Sequence, residues 1–143
     1  VSRREYLLFS PVGVSAIAIL VLNDACFKLW AGAGPWAPVT GKLSGIAGVV
    51  VLPALLEVMA ASVLPRRMAA SLAVAVTGVA FVLLETYPPF VHAYTSANQT
   101  VYDALGLGWR AMATMDPTDL AVLPFLAVTY GGLKRYATHR KAL

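Results

Sequence analysis

Two short polar stretches interrupt an otherwise apolar chain: Thr40-Gly41-Lys42-Leu43-Ser44 and Asp116-Pro117-Thr118-Asp119. A lysine at the start of a helix holds an anion together with the free N–H groups and the positive end of the helix dipole. A nucleotide phosphate loop would need glycine five residues before the Gly41-Lys42 pair and a hydroxyl residue directly after it, where this chain has Trp36 and Leu43. The stretch is therefore not a Walker A loop, and the plainer reading pairs Lys42 with a carboxylate from a neighbouring helix. In the second stretch, Asp116 as cap, Pro117 at the first helical position and Asp119 at the third satisfy the start of a helix. Drawn into low dielectric, the same two aspartates would instead form a functional site, with Asn23, Asp24 and Lys42 as partners.

The remaining reactive groups are sparse. Asp24 and Lys28 stand four apart and favour pairing with each other. Glu57 is the one acid inside an apolar run; it is protonated, inward-pointing, or snorkels toward Arg66, with a proton relay as the functional alternative. His92 and His139 fall on opposite sides of the expected membrane, which excludes a shared haem or metal, and no mid-span lysine offers a Schiff base. Cys26 is the only cysteine, so these residues hold neither a disulfide nor a CxxC pair. They name no cofactor, and no metal is expected.

The elements that position these groups follow from composition. Of 143 residues, 59% are hydrophobic and 13% charged, against roughly 45–50% and about 25% in soluble domains. Mean hydropathy is +0.72. These values exclude a disordered regulator and a small secreted module, and they leave too little polar surface for a soluble enzyme. The net charge of +4 is spread as basic pairs beside apolar runs, with no continuous stripe, so no nucleic-acid partner is expected.

Four runs read as membrane spans: 6–24, 43–65, 68–86 and 117–133. The first follows Arg3 and Arg4 like a signal start, but Asn23, Asp24 and Phe27 replace a small-residue cleavage site, so it is expected to be a retained helix. Eight basic residues (Arg3, Arg4, Arg66, Arg67, Lys134, Arg135, Arg140, Lys141) fall on one side and three (Lys28, Lys42, Arg110) on the other. The positive-inside rule then makes both termini cytoplasmic. Asn23 to Thr40, with Trp30 and Trp36, should lie near the outer headgroups, and Ser96 to Gly106 reads as a short helix in the outer interface.

Val51-Leu52-Pro53-Ala54-Leu55 echoes Val122-Leu123-Pro124-Phe125-Leu126 at an offset of 71, which sets Gly45 opposite Asp116 and Gly48 opposite Asp119. Each proline falls inside its expected span. The echo fits two repeated helical hairpins, and equally a coincidence between apolar segments that share a small alphabet.

Asn23-Asp24 with Lys28, Thr40 to Ser44 with Ala47-Gly48, and Asp116 to Leu120 together resemble a group of uncharacterised small bacterial membrane proteins, over about half the chain. In that pattern an aspartate usually follows Lys-Leu-Ser; this chain has Gly45. If the group's site is a carboxylate cluster, one ligand is missing here. The resemblance implies no established activity.

The reading is an all-α integral membrane four-helix bundle in the bacterial inner membrane, with a polar outer-face site of Asn23, Asp24, Lys42, Ser44, Asp116, Thr118 and Asp119. The expected role is an accessory or binding protein in the bilayer, docked to other membrane subunits or to a second copy, or holding a small anionic or lipid headgroup. Rival roles are a hydrolase or transferase using Asp116 and Asp119, and a proton-coupled transporter subunit using Glu57.

Overall fold

The computed structural model describes residues 6–27, 30, 34–108, 110–113 and 115–138, and these are mostly helical with no strand among them. Five α-helices are seen among them: α1 Pro11–Leu22, α2 Ala37–Ala60, α3 Arg66–Thr86, α4 Pro88–Ala104 and α5 Pro124–Thr138. Short 3-10 turns cover Leu7–Phe9 and Pro117–Val122, and a π turn covers Asn23–Phe27. The chain divides into one unit of Val1–Gly78 with Ala121–Leu143 and a second of Val79–Leu120.

In the first unit, α1 starts where Pro11 fixes the backbone and needs no N–H. Ser10 caps it: its Oγ accepts from the Gly13 N–H at 3.2 Å and donates to the Leu7 carbonyl at 2.6 Å. The preceding turn passes α1 so closely that a Cβ on Gly13 would run into the Leu7 and Leu8 carbonyls. Gly13, Ala16 and Asn23 are buried at near-helical spacing. α2 packs on α1, on α5 and on the Leu7–Phe9 turn. Leu7, Leu8, Ala54, Ala70 and Leu133 form a core, flanked by Val51, Val58, Val74 and Tyr136. The buried stripe of α3 is small, with Ala69, Ala70, Ala73 and Thr77.

A proline inside α2 costs one helical hydrogen bond, and the fold supplies another. Pro53 lacks an N–H, which releases the carbonyl four residues earlier, on Val49. The Thr129 hydroxyl of α5 reaches that carbonyl at 3.2 Å while also bonding its own helix at Phe125, 3.0 Å away. Val49 and Pro53 are fully buried, so no solvent could do the same.

Beside this apolar core, the unit buries several polar side chains and exposes many large apolar ones. Ser10, Asn23, Glu57, Thr77 and Thr129 are buried, whereas Val12, Val14, Ile17, Leu52, Leu55, Met59, Leu72, Val76, Phe125 and Val128 are exposed. Pro38–Ala60 and Arg66–Thr86 are long and apolar enough to cross a membrane. α1, with 12 residues, and α5, with 15, rise only about 18 and 22 Å, less than the roughly 30 Å hydrocarbon core.

Several expected boundaries move. The first run is broken at Ser10-Pro11 into a 3-10 turn and α1. α2 starts at Ala37, because Pro38 fits a first turn whose N–H groups are free anyway, and it stops at Ala60 before Pro65. Arg66 and Arg67 open α3 instead of closing the helix before it; its end at Thr86 matches the expectation. The run 117–133 is divided by Pro124, which opens α5 after the 3-10 turn. The two echoing prolines therefore differ in role: Pro53 is internal to α2, and Pro124 starts a helix.

In the second unit, Tyr87 is extended and separates α3 from α4, which begins at the two prolines. The helix expected over Ser96 to Gly106 is thus eight residues longer at its start. It ends on a Schellman turn: Gly106 takes φ of 65°, its N–H bonds the Asp103 carbonyl at 3.1 Å, and the Leu107 N–H bonds Tyr102 at 3.0 Å. Gln99 then fastens the following segment, donating to Asp103 Oδ1 at 2.7 Å and accepting from the Ala111 N–H at 2.9 Å.

Candidate functional site

Asn23 ends α1 in the π turn and is fully buried. Its Nδ2 donates to the Thr40 carbonyl at 2.8 Å, joining the end of α1 to the first turn of α2. Its Oδ1 is buried and has no hydrogen-bond partner among the described residues. A buried acceptor left unmade costs about 1–3 kcal/mol, which makes Asn23 the polar residue of this end most in need of a donor.

The Thr40 to Ser44 stretch lies inside α2. The Thr40 N–H already bonds the Trp36 carbonyl at 3.0 Å, so the free N–H groups of this helix belong to earlier residues. That corrects the expected helix-opening position of Lys42 and Ser44, and with it an anion site built on N–H groups at that stretch. Both side chains are half-buried on the first turns of α2. Asp24 lies in the π turn; the expected pairing with Lys28 falls outside the described residues. Trp30 and Trp36, in the same connection, are exposed.

In the second unit, Asp116 behaves as a cap. Its Oδ1 accepts from the Thr118 N–H at 2.9 Å and the Thr118 hydroxyl at 2.7 Å, while its carbonyl accepts from the Asp119 N–H at 2.8 Å. The Asp116 N–H donates to Glu85 Oε2 at 2.8 Å, fixing the turn to the end of α3. Asp116 and Thr118 are exposed and Asp119 is half-buried. No group of three His, Cys, Asp or Glu side chains suited to a metal ion occurs among the described residues.

A further charged arrangement lies elsewhere, where α2, α3 and α5 meet. Glu57, 1% exposed, accepts from Arg66 Nε through Oε1 at 3.3 Å. Arg66 also donates through Nη1 to the Tyr136 carbonyl at 3.4 Å, and its guanidinium sits 4.2 Å from the Tyr6 ring centre. Tyr6 meets Phe9 edge to face at 6.4 Å. Glu57 Oε2 has no hydrogen-bond partner among the described residues. Of the readings open for Glu57, this is the one directed toward Arg66, made possible by the short α2–α3 turn. Alongside, Lys134 Nζ lies 4.4 Å from the Tyr130 ring centre, and the Tyr130 hydroxyl is 3.1 Å from Ser71 Oγ. Tyr6, Tyr130 and Tyr136 were not picked out from the sequence; their signal was tyrosine beside Lys and Arg at the ends of apolar runs.

Both carboxylates with the strongest claim to chemistry are thus engaged in structure, Asp116 in a cap and Glu57 in an ion pair. Comparison with protein families, curated proteins and solved structures finds no match for this chain.

Proposed function

We propose that this chain is a small integral protein of the bacterial inner membrane, a four-span helical bundle with cytoplasmic termini, and that it binds without catalysing. In this reading it docks to a larger membrane partner or holds an anionic or lipid headgroup at its outer face, through Asn23, Asp24, Lys42 and Ser44 of the first unit or through Asp116, Thr118 and Asp119 of the second. The observation that carries the membrane assignment is the many large apolar side chains on the outside, while Asn23, Glu57 and Thr129 lie inside. α1 and α5 would reach across with their flanking turns and a locally thinned bilayer.

Binding is favoured over hydrolysis because the Asp116 carboxylate is turned toward Thr118. One observation favours a proton-coupled role, the unpartnered Oε2 of Glu57; its ion pair with Arg66 weighs against it. Affinity purification in mild detergent, with lipid and protein analysis, tests the proposal. A stoichiometric membrane partner or headgroup, lost on Lys42→Ala, is expected. A homogeneous, lipid-free and partner-free monomer would overturn the binding role.

A further inference from the structure

An apolar groove runs down the first unit between α1, α2 and α5. Its volume is about 650 Å³, inside the roughly 300–1,000 Å³ of ligand-sized clefts. Val12, Val50 and Val128 form its walls, and Gly131 and Gly132 line it without side chains of their own. Thr129 also lines it, but its hydroxyl is committed to Val49 and Phe125, so it offers the groove only apolar surface. At one end stands Arg135, exposed in the last turn of α5. A second groove of about 420 Å³ between α1 and α2 shares Val12 and Val50 with the first and extends it toward Ile19 and Leu43.

We infer that this groove seats one acyl chain of an anionic phospholipid from the cytoplasmic leaflet, with the phosphate at Arg135. The dimensions match. From Ala127 to Tyr136, α5 rises about 13 Å, close to the roughly 15 Å that one leaflet contributes to the hydrocarbon core. The chemistry is ordered in the same way: apolar walls along the length, and a guanidinium only at the end, which the charge asymmetry assigns to the cytoplasm. The inference rests on the membrane reading above but not on the outer-face site.

The test uses the full chain reconstituted in vesicles of equal phosphatidylglycerol and phosphatidylcholine, extracted in mild detergent, with retained lipid measured by mass spectrometry. Wild type should retain phosphatidylglycerol preferentially. Arg135→Gln should reduce that preference about fivefold, the equivalent of about 1 kcal/mol for one basic residue at a membrane surface, and Arg135→Lys should keep it. Gly131→Phe should lose both lipids, since a Cβ at Gly131 meets nothing within 4 Å and a ring there fills the groove. Should Gly131→Phe fail to fold, the comparison of Arg135→Gln with Arg135→Lys decides. Equal retention of both lipids by wild type, or an unchanged preference in Arg135→Gln, would overturn the inference, as would a protein partner retained in place of lipid. Failure to reconstitute at all would instead overturn the membrane reading.

Discussion

Replacing Thr129 by valine removes the hydroxyl that reaches the carbonyl released by Pro53, while keeping the side chain's shape. The Phe125 carbonyl loses little, because the helix N–H of residue 129 still reaches it. The Val49 carbonyl loses its donor at a fully buried position. An unmade buried bond costs about 1–3 kcal/mol in soluble proteins, and interhelical bonds in membranes are worth about 0.6 and up to about 1.7 kcal/mol. We expect Thr129→Val to cost about 1–2 kcal/mol. The proline makes this checkable by a double-mutant cycle. With Pro53→Ala the backbone N–H of residue 53 returns and bonds Val49, so Thr129→Val in that background should cost less than about 0.5 kcal/mol. Equilibrium unfolding of the four proteins in one detergent gives both values. Equal cost of Thr129→Val with and without Pro53 would refute the reasoning.

Gly13→Ala should destabilise by more than about 1 kcal/mol, because the new Cβ would meet backbone carbonyls of Leu7 and Leu8 that cannot rotate away; thermal unfolding in detergent measures it. Asp116→Ala should cost about 1 kcal/mol more than Asp116→Asn, since asparagine still caps; equal stability of the two variants in a thermal melt would remove the cap from the account. Arg66→Met should be more damaging than Glu57→Gln, by roughly 1–3 kcal/mol, because it leaves the buried carboxylate without its cation whereas Arg66 keeps Tyr6 and Tyr136. Denaturant titration ranks the two, and the reverse order would contradict the geometry.

The sequence made the all-helical class readable, because long apolar runs end at charges or prolines, and the end of α3 at Thr86 and the capping by Asp116 could be anticipated in the same way. Helix starts were less legible. Pro38 and Pro88 carry the composition of a loop or a stop, yet each sits in a first turn, where a missing N–H costs nothing. That displaced Lys42 and Ser44 from the helix opening into its body. The pairing of Glu57 with Arg66 was within reach of the sequence, since a buried acid needs a nearby cation. The reach of Thr129 to Val49 was not, because the two lie 80 residues apart and only packing brings α5 onto α2. Nor was the orphaned Oδ1 of Asn23, which depends on how the π turn faces Thr40.

The central claim is a membrane-spanning chain whose Asn23–Phe27 turn faces outward and whose α5 ends in the cytoplasm. Cys26 is exposed in that turn and is the chain's only cysteine. A membrane-impermeant thiol reagent on intact cells should label the wild-type protein at Cys26, and should label a Cys26→Ser, Thr138→Cys variant only after permeabilisation. Labelling of the Thr138→Cys variant in intact cells, with Cys26 protected until the membrane is opened, would contradict the account.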